Sequence, residues 1–193
     1  MDAVGICNLA LGWLGATAIA QLDQEAPLST EEELCARLYP AAVRSVLEAK
    51  PWTWATKREA LGPAEATGLP DFPSKYPLPS TVVRVLSCDD GGGANDIEYR
   101  REGGYLLTET SPATLFAKVI TLEEDPTRFS TGFARAVAAR LAADLAMPLT
   151  ENAGVAKRWE AQYAMELQKA GALDGAQGRS EGSRPSICAA RRW

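Results

Sequence analysis

Apolar residues near the start of the chain recur at helical spacing. Val4, Cys7, Leu11 and Leu14 fall on one face and Gly15 follows as a stop, so the opening segment reads as an amphipathic helix. Thr30-Glu31-Glu32-Glu33 then has the form of a capping box, with the Thr30 hydroxyl accepting from the Glu33 N–H and the acidic run suiting the positive end of a helix dipole. The three glutamates start a helix rather than bind a cation, because consecutive residues face different directions. That second helix carries Leu34, Leu38, Val46 and Leu47, with Pro40 expected to kink or restart it and Pro51 to stop it. Pro51, Trp52 and Trp54 form an elbow, and Gly62 to Pro79 is so rich in Gly and Pro that it reads as loop.

Alternation then replaces the helical period. Val82 to Cys88, Ile97 to Arg101, Tyr105 to Glu109 and Leu115 to Thr121 read as short strands, with Gly103-Gly104 as a hairpin turn. Asp89 to Asn95, which includes Asp90 and Gly91-Gly92-Gly93, reads as a glycine-rich tip. It lacks the helix and lysine that a phosphate-binding loop needs. Asp125-Pro126 opens the clearest helix, with Phe129, Phe133, Val137, Leu141 and Leu145 at i+4 steps and Pro148 as its end. Thr150 is placed to cap a fourth helix bearing Ala156, Trp159, Tyr163, Leu167 and Ala170 on one face, and the short connection pairs the two helices antiparallel. The aromatic stripe is read as core packing rather than a cofactor pocket. Periodicity fades after Gly171, and Gly175 to Trp193 combines Gly, Ser, Pro and Arg with apolar residues near its end.

These elements predict an α+β, mainly α fold: a four-helix body with an inserted small antiparallel β-region and an extended C-terminal tail. The division is 1–58 for the first helices and elbow, 59–124 for the loop and β-region, 125–172 for the helix pair that completes the body, and 173–193 for the tail. A chain of 193 residues can bury a core without cross-links.

Charge and composition narrow the chemistry. Twenty basic against 25 acidic residues give a net charge of -5, which argues against a broad nucleic-acid face or attraction to an anionic membrane. Cys7, Cys35, Cys88 and Cys188 are scattered, with no paired spacing, and read as reduced thiols. The chain has no histidine, so Ser-His-Asp, Cys-His and His-metal chemistries are excluded, and no cofactor or metal is expected. Ala3 to Ala20 is apolar but opens after Asp2 and is broken by Asn8 and three glycines, which fits a core helix better than a secretory signal. An enzyme built on carboxylates alone would have Asp89, Asp90 and Asp96 as its candidates, and nothing in the sequence separates their pKa values.

Three pieces in order resemble one family. Ile6-Cys7-Asn8-Leu9-Ala10-Leu11 through Leu14-Gly15, then Cys35, Tyr39, Val43-Arg44, Leu47 and Pro51-Trp52-Thr53-Trp54-Ala55, resemble the N-terminal half of the tail tubular protein A family. Members of that family are head-to-tail adaptors of short-tailed phages. Leu78-Pro79 before Val82-Val83-Arg84-Val85, Gly103-Gly104-Tyr105-Leu106-Leu107-Thr108, and Ala138-Ala139-Arg140-Leu141-Ala142 in the helix from Phe129 are similar to its later parts. Pro40 departs from the pattern. The resemblance implies a non-enzymatic virion protein, made in the host cytoplasm, whose copies form a twelvefold ring under the portal, extend the DNA channel and offer a docking surface to the tail or nozzle protein below. Its partners would be the portal, that tail protein, further copies of itself, and double-stranded DNA passing without specific binding, with no membrane. Candidate portal contacts lie in the tail at Arg179, Arg184, Ile187, Arg191, Arg192 and Trp193, and the hairpin tip at Asp89, Asp90, Gly91, Gly92, Gly93 and Asn95 would face the tail protein. The alternative is a small oligomeric nucleic-acid-binding packaging protein, which should carry a basic stripe; none is visible outside the tail.

Overall fold

Asp2 opens the first helix by accepting a hydrogen bond from the Gly5 N–H at 2.9 Å, and Gly15, in the left-handed region at φ +72°, closes it. This is α1, Ala3–Leu14, in a computed structural model that describes residues 1–23, 25, 29–91 and 96–177. Asn8 is no mere interruption of the apolar run. Its amide donates to the Ile19 carbonyl at 2.9 Å and accepts from the Ile19 N–H at 2.7 Å, pinning the segment after α1 against the helix.

Helix α2, Thr30–Ala49, begins one residue earlier in its cap than the sequence suggests. Ser29 is the N-cap, accepting from the Glu32 N–H, and the buried Glu32 carboxylate accepts from the Asp23 N–H at 3.3 Å. Pro40 sits inside α2, which runs through it without a break. In the same way α3, Thr131–Thr150, contains Pro148 and ends at Glu151 in the left-handed region. Asp125-Pro126 gives only a single 3-10 turn, Pro126–Arg128, and Ser130 is the true cap of α3. Thr150 turns its hydroxyl back to Ala146, so Asn152 caps α4, Ala153–Gln177, by accepting from the Gly154 and Val155 N–H groups.

Helix α3 is the centre of the body and packs on α1, α2 and α4. Beyond the i+4 stripe, Ala134, Ala136, Ala138, Ala139, Ala142 and Ala146 are also buried, so α3 is apolar nearly all round, as a helix enclosed by neighbours must be. Along the pair with α4, Gly132 lies beside Ala170, Arg135 beside Glu166 and Arg140 beside Tyr163, which makes the two antiparallel. The face of α4 with Trp159, Tyr163, Leu167 and Ala170 is turned to the core, and Trp159 stacks on Trp13 of α1 with ring centroids 4.9 Å apart.

The β-structure corrects the expectation of a small inserted region on a four-helix body. Among the described residues, seven strands form two antiparallel sheets. The inner sheet is ordered β1 (Thr56–Leu61), β7 (Leu115–Thr121), β4 (Val82–Asp89). The outer is ordered β2 (Glu65–Ala66), β3 (Ser74–Pro77), β6 (Tyr105–Thr108), β5 (Tyr99–Glu102). Three of these strands escaped the sequence reading. β1 is highly polar, and β2 and β3 lie within the Gly- and Pro-rich stretch, where Ser74 to Pro77 pair with β6 despite the flanking prolines.

The inner sheet is a middle layer. Val83 and Ile120 join the core of the helices, while Leu61, Val82, Cys88, Leu115, Ala117 and Val119 join a second core with Tyr76 and Leu106 of the outer sheet. The fold is therefore α+β in three layers: helices, inner sheet, outer sheet. The consecutive residues Val82 and Val83 are buried on opposite sides of β4, whose register against β7 shifts twice. Side chains from β5 cross between the sheets to the carbonyls at those irregularities. Arg101 donates to Val83 O at 3.0 Å and Val82 O at 3.2 Å, and the Tyr99 hydroxyl donates to Val85 O at 3.2 Å.

Candidate functional site

The sequence places its candidates in three areas, and the structure divides them unevenly. The tail residues Arg179, Arg184, Ile187, Arg191, Arg192 and Trp193 lie outside the described residues, as do Gly92, Gly93 and Asn95 of the tip. Helix α4 runs to Gln177, past the point where periodicity fades. Its last turns do structural work, since buried Asp174 accepts from the Thr53 N–H at 2.6 Å and the Thr53 hydroxyl at 2.9 Å.

At the tip, Asp89 and Asp90 have different positions. Asp89 is the last residue of β4, buried, and its carboxylate binds Arg58 of β1 and accepts from the Gly91 N–H at 2.8 Å. The Arg58 hydrogen bond, then that of Gly91, hold its carboxyl below the usual range, so it stays an anion and is poorly suited to give up a proton. Gly91 has φ +85°, and a Cβ there would meet the Phe116 ring at 2.7 Å, so only glycine fits. Asp90 and Asp96 are exposed and border an open recess of about 600 Å³ with Ile97, Glu98, Glu109 and Pro112. With Thr110 and Ser111 also in its lining, this recess is polar and acidic, and only Ile97 and Pro112 give it apolar surface.

The elbow is built into the core. Trp52 is fully buried, its Nε1 donating to Val46 O at 2.8 Å and its ring meeting Phe133 edge-on at 5.0 Å. Trp54 packs on both Phe129 and Phe133, which ties the start of β1 to the start of α3. Pro51 is exposed beyond the end of α2.

The sequence reading overlooked two features. One is a groove of about 450 Å³ floored by Tyr39, Pro40, Val43, Leu122 and Phe129 and rimmed by Arg44, Glu123 and Glu124. Its signal was Pro40, exposed in mid-helix. The other is Glu166, almost buried on α4 and bound by Arg135 and Lys169 at 3.3 Å each and by Gln162 at 3.2 Å. Burial pushes the Glu166 carboxyl up, but the two cations outweigh it and leave its pKa lowered.

No family model and no curated protein matches the sequence. Among the described residues no group of His, Cys, Asp and Glu could hold a metal ion, and no helix is long and apolar enough to cross a membrane. Cys7 and Cys35 are fully buried and hydrogen-bonded to each other, and that bond together with burial pushes the Cys7 thiol up. Burial, helped by Asp89 and Asp96, pushes Cys88 up to about 12. Neither of these two thiols is poised as a nucleophile.

Proposed function

We propose that the chain is a structural virion protein: a head-to-tail adaptor whose copies form a ring beneath a phage portal, extend the DNA channel and offer a docking surface to the tail. The observation that carries this reading is the way the body is built from both ends of the chain. Helices α1, α2, α3 and α4 close around one core, and the two sheets stack on one side of it, so one subunit offers a helical surface and a separate β surface to different neighbours. That division suits a part that joins two unlike structures, and it accords with the resemblance of Ile6 to Ala55 and of the later segments to the tail tubular protein A family. Each subunit has its own core, so a folded monomer that multimerises on the portal is the expected order of assembly. An acidic protein also suits a channel through which DNA slides, because each basic phosphate contact would add salt-dependent binding.

In this reading the recess beside Asp90 and Asp96 faces the tail protein, and the segment with Arg179, Arg184, Ile187, Arg191, Arg192 and Trp193 ties the subunit to the portal. Electron microscopy of the protein mixed with its portal ring is the deciding experiment. A second ring stacked coaxially on the portal is expected. Binding to double-stranded DNA without portal, falling steeply with salt, together with no stacked ring, would overturn the proposal in favour of a packaging protein.

A further inference from the structure

Cys7 and Cys35 are 28 residues apart in sequence and meet inside the core of the helices. Cys7 lies on the inner face of α1 and Cys35 in the second turn of α2; both are free thiols, fully buried, and hydrogen-bonded to each other. The Cys7 thiol donates, and that bond outweighs burial and holds Cys35 below the ordinary thiol pKa. The two sulfurs are therefore unequal, one favoured as thiolate and the other protonated beside it. Cys88 has no such neighbour, and burial pushes it up to about 12.

A polar group completes the cluster. Tyr39 follows Cys35 by one turn on the same face of α2, and its buried hydroxyl has no hydrogen-bond partner among the described residues. Burial first, and then the charge of the nearby Cys7, push that hydroxyl up, so it stays a proton donor beside the sulfurs. Helix α1 packs chiefly on α3 and only lightly on α2. The thiols thus meet where the packing between their two helices is thin.

We propose that Cys7 and Cys35 are a redox-active pair, which a hydroperoxide closes into a disulfide that fastens α1 to α2. The Cys35 thiolate attacks one peroxide oxygen, the O–O bond breaks, and the departing hydroxide takes up a proton and leaves as water. Cys35 is then a sulfenic acid, oxidised by the two electrons that reduced the peroxide. The Cys7 sulfur attacks it, the S–S bond forms, the S–O bond breaks, and the Cys7 proton leaves with the oxygen as a second water. Two thiols and one hydrogen peroxide give one disulfide and two waters. The pair stands on these residues whether or not the chain is an adaptor; for a virion protein, release from the reducing cytoplasm is the point at which it meets such an oxidant.

The test uses the full-length chain, folded and dilute, treated with a small excess of hydrogen peroxide, capped with N-ethylmaleimide and mapped as non-reduced peptides by mass spectrometry. A Cys7–Cys35 disulfide is expected, with Cys88 still a thiol. The melting temperature should rise by roughly 5–10 °C and return with dithiothreitol. In Cys7→Ala the reaction should stop at a Cys35 sulfenic acid, which dimedone captures, and in Cys35→Ala the Cys7 thiol should stay reduced. The wild-type map decides the matter even where these variants do not fold. Cys7 and Cys35 both still thiols in folded, peroxide-treated protein would overturn the proposal. So would a disulfide between them that forms only in urea, or pairing of either with Cys188 in place of the other. None of these results bears on whether a ring stacks on the portal.

Discussion

Asp174 holds Thr53 by two hydrogen bonds, 2.6 Å from the backbone N–H and 2.9 Å from the hydroxyl, across 121 residues of sequence. The bond fastens the end of the longest helix to the elbow where the chain leaves α2 for the sheets. Hydrogen bonds to a charged group contribute about 1.5–3 kcal/mol each at most. Asp174→Ala should therefore lower stability by about 2–3 kcal/mol, seen as an earlier midpoint in urea. A chain ended at Ala172 should show the same loss and one ended at Gln177 should not, so the second is the fair truncation for assigning a role to residues 178–193. Equal midpoints for Asp174→Ala and wild type would show the bond to be idle.

Among the described residues, Trp52 is the largest fully buried side chain. Truncating such a ring costs about 3–5 kcal/mol, a large share of the stability of a small domain. Trp52→Ala should be insoluble or lack near-ultraviolet circular dichroism. Trp52→Phe keeps a ring against Phe133 but loses the bond to Val46 O, and should remain folded with a loss of roughly 1 kcal/mol or somewhat more. A Trp52→Ala protein that melts like wild type would place the elbow outside the core.

Arg101 and Tyr99 donate to carbonyls of β4, the edge strand of the inner sheet, beside its two register shifts. Arg101→Leu keeps an aliphatic stem but removes both donors, and leaving such carbonyls unpaired costs about 1–3 kcal/mol. Hydrogen exchange should show the β4 and β5 amides opening faster while those of α1 and α3 change little. Uniform acceleration throughout would mean that the two cores open only together.

Glu166 makes an acid-side prediction. Its folded pKa is lowered, so the stabilisation it supplies is fully present above the ordinary glutamate value of 4.5 and is lost as pH falls through the folded value. Glu166→Gln should be less stable than wild type at pH 7, and the gap should narrow below about pH 4.5 as the carboxylate takes up its proton. A gap that stays constant from pH 7 to pH 3 would show that Arg135 and Lys169 do not act on the charge.

The helices were legible because their burial has a period that the residues display: Val4 to Leu14 and Phe133 to Leu145 show it directly. Their ends were less so. Asp125-Pro126 and Thr150 have the right chemistry for caps, but Ser130 and Asn152, a few residues on, take the role, and Pro148 is tolerated inside the last turn of α3. The sheets were half legible. β7 shows as a short apolar run, Leu115 to Ile120 broken only by Lys118, because its two faces serve two cores, whereas β1 shows Lys57, Arg58 and Glu59 to solvent or to partners and betrays itself only through its pairing with β7. At the tip, sequence alone grouped Asp89 with Asp90, and only Arg58, 31 residues away, explains why one is buried and the other exposed.

Because α3 is the element on which α1 and α2 pack, the first part of the chain has nothing to close against while it is being made. At ribosomal speeds of about 5–20 residues per second, the stretch from the end of α2 to the end of α3 takes roughly 5–20 seconds to follow. Throughout that interval Ile6, Leu11, Val46 and Leu47 are apolar surface in a crowded cell. The nascent chain is thus a natural client for a holding chaperone, and its yield in a heterologous host should depend on chaperone supply more than on codon choice in the β-segment.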